Sequence, residues 1–112
     1  MTCTQYDIFL VNLDPTIGSE IRKTRPCVLL SPNELNGNLN TVIIAPITSN
    51  SKPYPTLLKT KSVKPYGWIV LHQIRTIDKS RIIKKIGQLT SDEISACKCI
   101  LEELLVWCTV FG

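Results

Sequence analysis

Up to residue 89 the chain alternates short apolar runs with polar, proline-bearing breaks; beyond it the apolar positions recur every three or four residues. The first pattern predicts strands and the second an amphipathic helix. Tyr6-Asp7-Ile8-Phe9-Leu10-Val11-Asn12-Leu13 is apolar, with β-branched and aromatic members, and stops at Asp14-Pro15, so a strand is expected there. A second strand is expected over 25–30, beginning or bulging at Pro26, which has no N–H for a ladder. Ser31-Pro32-Asn33-Glu34-Leu35 predicts a short helical turn capped by Ser31 and closed by Asn36-Gly37-Asn38. Residues 41–48 form a nearly continuous apolar run, which predicts a strand buried on both faces. Pro46 should sit at its end or at a bulge, leaving Thr48 strand-terminal on a surface.

A polar loop over 49–55 precedes TLLKTK at 56–61, where the lysines suit an edge strand. After a turn over 63–67, residues 68–77 carry the longest strand signal in the protein. Its second half alternates, with Leu71, Gln73, Arg75 and Ile77 on one face and His72, Ile74 and Thr76 on the other. A turn over 78–81 leads to a last strand over 82–89. Thr90 and Glu93 then form a capping box, and Ile94, Cys97, Leu101, Leu104, Leu105, Cys108 and Phe111 make one helical face, with Glu102 and Glu103 pointing outward. Burial of such side chains is worth about 1–3 kcal/mol each before entropy, so this helix is expected to be structural. With no repeat and no dividing linker, residues 1–112 read as one domain. Strands follow strands without intervening helices, which excludes a doubly wound parallel sheet. The expected fold is α+β but mostly β: a small, mainly antiparallel barrel or curled sheet plugged by the C-terminal helix.

The composition changes this picture little. Hydrophobic residues make up 44% of 112, enough for a core without staples and too many for a disordered chain. No apolar run approaches the roughly 20 residues of a membrane span, and the N-terminus lacks a signal-peptide layout, so a cytoplasmic protein without membrane attachment is expected. The five cysteines are odd in number and irregularly spaced, and the single histidine is distant from them, so reduced, buried thiols are expected rather than disulfides or zinc. Charge is more informative. Residues 1–89 hold twelve Lys/Arg against five Asp/Glu (+7) and residues 90–112 hold one against four (−3), giving the net +4. A basic body of this kind suits a polyanion, although a solvated cationic face is nearly as common.

Four groups of residues could carry chemistry. The basic loop Arg22-Lys23-Thr24-Arg25 opens the second strand, and Arg25, next to Pro26, is the one held in place; a guanidinium suits bidentate contact with phosphate. Thr48 and Ser49 end the third strand. His72 to Lys79 places polar groups on a strand that could have been apolar, and His72 is the one side chain that ordinarily titrates near neutrality. Tyr54, Tyr66 and Trp68 flank Lys52 and Lys64 and could stack on bases. The plain alternatives are a solvated hairpin tip, a strand-ending turn, a structural histidine and core packing. Asp7, Asp14, Glu20 and Asp78 are scattered singly, so no Mg²⁺ cluster is expected, and no phosphate loop, dinucleotide motif or nucleophile elbow occurs; no cofactor is expected. RNA cleavage with this inventory would use the substrate's own 2′-OH, with acid–base groups worth about 10²–10⁴ each in rate and a cation at the phosphate.

The segments LDPTIGSE, TRP, VLLS, VIIAPITS and QIRTIDK, in this order and followed by a terminal helix, resemble the PemK/MazF toxins of bacterial toxin–antitoxin pairs. The resemblance runs from about Tyr6 to Leu105. It implies an SH3-like barrel of five to seven mainly antiparallel strands with a short helical turn and a C-terminal helix, working as a homodimer. It implies a metal-independent, sequence-specific endoribonuclease that cuts single-stranded RNA, chiefly mRNA, leaving 2′,3′-cyclic phosphate and 5′-OH ends. A cognate antitoxin would cover the groove with an acidic tail. Carried over by residue, Arg25 and Thr48 would be catalytic, Arg25 as acid–base group or transition-state stabiliser and Thr48 at the scissile phosphate or the 2′-OH. Ser19, Glu20, Arg22, Lys23, Thr24, Ser49, His72, Gln73 and Arg75 would bind RNA, with Gln73 and Arg75 on a groove-lining strand and residues 14–23 as a mobile flap. Some members carry an acid at the position of His72 and a histidine at that of Ser19, which leaves the general base open between His72 and another group. Two other readings on the same barrel are a gyrase-poisoning toxin, which would depend on the aromatic end at Trp107 and Phe111, and an RNA binder that does not cut.

Overall fold

In a computed structural model of the protein, residues 2–49, 55–64 and 66–106 are described. Seven strands and two helices follow one another as β1 (Asp7–Asn12), β2 (Thr24–Leu29), α1 (Asn33–Asn38), β3 (Thr41–Thr48), β4 (Leu57–Thr60), β5 (Gly67–Val70), β6 (Arg75–Asp78), β7 (Ile82–Gln88) and α2 (Ser91–Leu105). They form one sheet in the order β4-β5-β3-β2-β1-β7, with β6 beside the first half of β3, and every pairing is antiparallel. The mainly antiparallel architecture expected from the sequence is present, as an open sheet whose path ends at β4 and β7.

Alternation along β2 and β3 builds two cores, one on each face. Val28, Ala45 and Ile47 join Ile8, Ile69, Leu71, Leu89 and Cys97 on one side. Cys27, Leu29, Val42 and Ile44 join Phe9, Val11, Leu13 and Ile77 on the other. This double coverage is why β3 reads as an unbroken apolar run. Helix α2 closes the first core. Its capping box forms in both directions, from the Glu93 N–H to Thr90 Oγ1 (3.2 Å) and from the Thr90 N–H to Glu93 Oε1 (2.9 Å). Cys97 is buried, and Ile94, Ile100, Leu101 and Leu104 pack against the core. Leu105, expected on the buried face, is 61% exposed instead. Trp107, Cys108 and Phe111 lie outside the described residues, as do Tyr54 and Lys52.

Three expectations from the sequence need correction. The turn after β2 does not start at a Ser31 cap. Its cap position is Pro32, and helix α1 runs through Asn36 and Gly37 to Asn38. The Ser31 hydroxyl instead donates to Asn36 Oδ1 (2.6 Å) and accepts from the Ile43 N–H (3.0 Å), tying α1 to β3. The long strand expected over 68–77 is two strands, β5 and β6, separated by a 3-10 turn at Leu71–Gln73. The break comes where the chain changes partner rows along β3: Trp68 and Ile69 pair with Thr48 and Ile47, whereas Arg75 to Asp78 pair with Ile44 back to Thr41. Gln73 therefore sits on a turn, not on a strand.

Pro46, expected at a strand end or bulge, lies inside β3. The Ile43 C=O accepts from the N–H of Leu30, just past β2, so odd-numbered residues of β3 aim their peptide groups at β2. Pro46 then faces the other edge, in the gap between the residues paired with β6 and those paired with β5, where no N–H is needed.

Candidate functional site

Pro26 decides where the sheet opens. The Leu13 N–H donates to the Lys23 C=O (3.0 Å), which fixes the hydrogen-bonded pairs of β1 and β2 as odd residues, with Arg25 facing Val11. The nitrogen of Pro26 thus points at β3, where the next ladder bond, to Ile47, would require an N–H that proline lacks. The β2–β3 ladder stops one pair earlier, at Cys27–Pro46. Carried two residues further, its register sets Arg25 across from Thr48. By alternation both belong to the face of Cys27, Pro46 and Ile44, and Arg75, paired with Ile44, belongs to it too.

Two concavities flank this open end of β3. The larger, of about 390 Å³, is lined by Leu13, Ser19, Glu20, Ile21, Pro46, His72, Gln73, Ile74 and Arg75. The smaller, of about 160 Å³, is lined by Thr24, Arg25, Pro26, Ile47, Ser49, Val63, Lys64, Tyr66 and Gly67. The structure therefore gathers Ser19, Glu20, His72, Gln73 and Arg75 in one hollow, and Thr24, Arg25 and Ser49 in the other. Thr48 is half-buried at the end of β3 between them, paired with Trp68. Arg22 and Lys23 lie on the exposed loop beside them.

The loop between β1 and β2 is more tied down than a free flap. Arg75 Nη1 donates to the Leu13 C=O (3.2 Å), and Arg81 donates to the Asp14 C=O (2.5 Å). The Lys23 N–H donates to Asp14 Oδ1 (3.0 Å), with Lys23 in the left-handed region at φ 71°. Glu20 Oε1 closes the tip by accepting from the Ile17 N–H (2.6 Å), and the Ile21 N–H donates to Gln73 Oε1 (2.9 Å). The tip itself is solvated, with Ile17 83% exposed. Arg25 is oriented by its own loop, since its Nε donates to the Arg22 C=O (3.2 Å).

On the opposite wall His72 is exposed, and its Nδ1 is 2.7 Å from the Thr56 hydroxyl. Thr56 is buried, and its C=O also accepts from the Leu71 N–H (3.1 Å), so the 3-10 turn that carries His72 is fastened at two points. The two buried thiols, Cys27 and Cys97, are poor nucleophiles, whereas Cys3 is half-buried and Cys99 exposed, against the expectation of buried thiols throughout. Burial pushes Cys27 up to about 12, although Arg75 pulls the other way, and burial pushes Cys97 up to about 11. Among the described residues no three His, Cys, Asp or Glu side chains converge as a metal site, and no helix is long and apolar enough to cross a membrane.

Two contributors escape a reading of the sequence. Thr56 orients His72 from sixteen positions away. Glu93, legible only as a capping residue, is a hub. It accepts from Thr60 Oγ1 (2.6 Å), Ser62 Oγ (2.6 Å), the Lys61 N–H (3.2 Å) and the Thr90 N–H (2.9 Å), fastening the loop that leads to Lys64 onto α2. Burial raises its pKa, but these hydrogen bonds outweigh burial and hold the carboxyl below its ordinary value.

Residues 4–105 match a family described as PemK-like, MazF-like toxin of type II toxin-antitoxin system. A protein named Endoribonuclease MazF from Staphylococcus saprophyticus is 34% identical over 94 residues, covering 79% of this chain and 78% of that protein. Among solved structures, MazF from Deinococcus radiodurans superposes with a TM-score of 0.85 at 24% identity, covering 94% of this chain and 97% of the other. A mycobacterial endoribonuclease solved with its cognate antitoxin superposes with a TM-score of 0.78 at 17% identity, covering 92% and 94%. These two likenesses carry the fold.

Proposed function

The chain belongs to the PemK-like, MazF-like family of toxins of type II toxin–antitoxin systems, and we propose that it is an endoribonuclease that cuts single-stranded RNA, chiefly mRNA, at specific sequences. The observation that carries this reading is the register that sets Arg25 across from Thr48 where Pro26 ends the β2–β3 ladder. A cation and a hydroxyl on one face, beside a cavity lined by Ser19, Gln73, His72 and Arg75, suit a phosphodiester with its neighbouring 2′-OH.

In the proposed reaction the 2′-oxygen attacks the adjacent phosphorus, forming the 2′,3′-cyclic phosphate as the bond to the 5′-oxygen breaks. Arg25 stabilises the charge that grows on the phosphoryl oxygens, and Thr48 hydrogen-bonds the phosphate or the 2′-OH. The 2′-OH proton passes to a base and the departing 5′-oxygen takes a proton, which yields a 5′-OH. With Nδ1–H donating to Thr56, His72 would keep a free lone pair on Nε2, the form a general base requires. The reading needs no metal, because the attacking oxygen belongs to the substrate and the charge is met by guanidinium groups.

The active species is proposed to be a cytoplasmic homodimer, held inactive by a cognate antitoxin whose acidic tail lies against Arg22, Lys23, Arg25 and Arg75. The test is incubation of the purified protein with a long RNA in EDTA, followed by mapping of the cut ends. Discrete cuts bearing cyclic phosphate and 5′-OH ends are expected. Intact RNA, or identical cutting by Arg25→Ala, would overturn the reading.

A further inference from the structure

We propose that Tyr66, backed by Lys59, is a stacking platform for one unpaired nucleobase of the bound RNA, next to the bond that is cut. The proposal rests on the RNA-cleaving reading and adds a base-binding position to it.

Tyr66 immediately precedes β5 and is 43% exposed, large for an aromatic side chain beside a concave surface. The ammonium of Lys59 lies 4.7 Å from the centroid of its ring and 5.9 Å from that of Trp68. This arrangement follows from strand register, because Lys59 and Trp68 are direct partners across β4 and β5. A cation so placed makes a cation–π contact with the Tyr66 ring and favours its orientation.

Gly67 fixes where this ring stands. A Cβ at position 67 would lie 2.4 Å from Ile47 Cγ2, 3.0 Å from Val63 Cγ2 and 3.5 Å from the Thr48 C=O. The start of β5 is therefore pressed against the end of β3, and Tyr66 is anchored within reach of Thr48. The hollow it lines also holds Arg25, Ser49 and Lys64 and, among the described residues, no acidic one. A flat aromatic face beside cations and a hydroxyl suits a nucleotide, with the base on the ring and the phosphate at the guanidinium.

The experiment uses an oligoribonucleotide selected from a random single-stranded pool for binding to the wild-type protein, made uncleavable by 2′-deoxy substitution. Its affinity is read by fluorescence anisotropy against wild type, Tyr66→Ala, Tyr66→Leu and Tyr66→Phe, with the intact oligonucleotide and with an abasic site placed at each position in turn. Tyr66→Ala and Tyr66→Leu are expected to weaken binding by roughly 5- to 100-fold, the range of one lost base stack. Tyr66→Phe should stay within about twofold, since the ring is kept. At one position the abasic substitution should cost wild type the same factor and cost Tyr66→Ala nothing further. Equal weakening by Tyr66→Phe, or an undiminished Tyr66→Ala loss on every abasic oligonucleotide, would overturn the platform. Cutting of the all-ribose oligonucleotide separates the two readings. Cutting with no coupling between Tyr66 and any base refutes the platform alone, coupling without cutting refutes the nuclease alone, and failure to select any binder refutes both.

Discussion

The backbone N–H of Ile21 donates to Gln73 Oε1 at 2.9 Å, across 52 residues of sequence. It joins the tip side of the β1–β2 loop to the 3-10 turn between β5 and β6, and both ends line the larger cavity. This side chain therefore ties the tip side of the loop to the far wall of the hollow, beside the contacts that Arg75 and Arg81 make at its base. A hydrogen bond of this kind is worth a net of about 0.5–1.5 kcal/mol. Gln73→Ala should accordingly speed hydrogen exchange at the Ile21 amide by about 2- to 12-fold, whereas Gln73→Glu, which keeps an acceptor, should restore protection. Unchanged exchange in Gln73→Ala would show that the loop is held by its Asp14, Glu20, Arg75 and Arg81 contacts without Gln73.

Arg25 and Thr48 make a second prediction. Arg25→Ala should lower cleavage by about 10²–10³-fold, the cost of removing a preorganised charge-stabilising donor, with thermal stability nearly unchanged. The hydrogen bond of its Nε is to its own loop, so truncation leaves no buried partner unpaired. Arg25→Lys should recover little, because an ammonium cannot reproduce the guanidinium fork. Thr48→Ala should behave like Arg25→Ala and Thr48→Ser should largely recover. Parallel losses of activity and of melting temperature would place both residues in the fold rather than the reaction.

Much of this arrangement could be read from residue order alone, and the exceptions share a cause. Strands β1, β2, β3 and β7 are legible as short apolar, β-branched runs between polar or proline-bearing breaks, helix α2 by its three-and-four period, and the Thr90–Glu93 capping box is a local signal. The split of residues 68–77 is not legible. Its two halves pair with different rows of β3, and only that tertiary fact requires a turn at Leu71–Gln73. Pro46 is misread for the same reason: its missing N–H is harmless only because neither neighbour faces it. Arg25 and Thr48 could be singled out, but their apposition depends on a register that sequence does not print. Thr56 and the wider contacts of Glu93 are invisible, since a buried hydroxyl and a capping acid look ordinary until the elements meet.

Glu93 gives a pH prediction. Its folded pKa is depressed by hydrogen bonds from Ser62, Thr60, Thr90 and Lys61, against the opposing effect of burial. A depressed acid contributes stability that is present above its unfolded value, about 4.3 for glutamate, and is lost as pH falls through the lower folded value. Wild-type melting temperature should therefore drop through this acid range, and Glu93→Gln should melt lower at neutral pH with a shallower acid slope. Superimposable melting curves for the two proteins across pH would refute the hub.

The glycines of α1 and β5 should respond to alanine with opposite signs. Nothing lies within 4 Å of a Cβ built at Gly37, and its φ is not in the left-handed region, so Gly37→Ala only removes backbone freedom from a helical position. It should stabilise the protein by about 0.5–1 kcal/mol. At Gly67 the new methyl would sit 2.4 Å from Ile47 Cγ2 and 3.0 Å from Val63 Cγ2. Ile47 is buried and β-branched, so its methyl cannot swing away, and β5 must retreat from β3. Overpacking of this kind costs about 1–3 kcal/mol. Because the Thr48 C=O lies 3.5 Å from the same position, the retreat would also shift Thr48 and Tyr66. Gly67→Ala should thus lower both the melting temperature and the cleavage rate, and adding Ile47→Ala should recover part of the activity despite the cavity it opens. A Gly67→Ala protein as stable as wild type would mean that the β3–β5 contact is looser than the 2.4 Å approach requires.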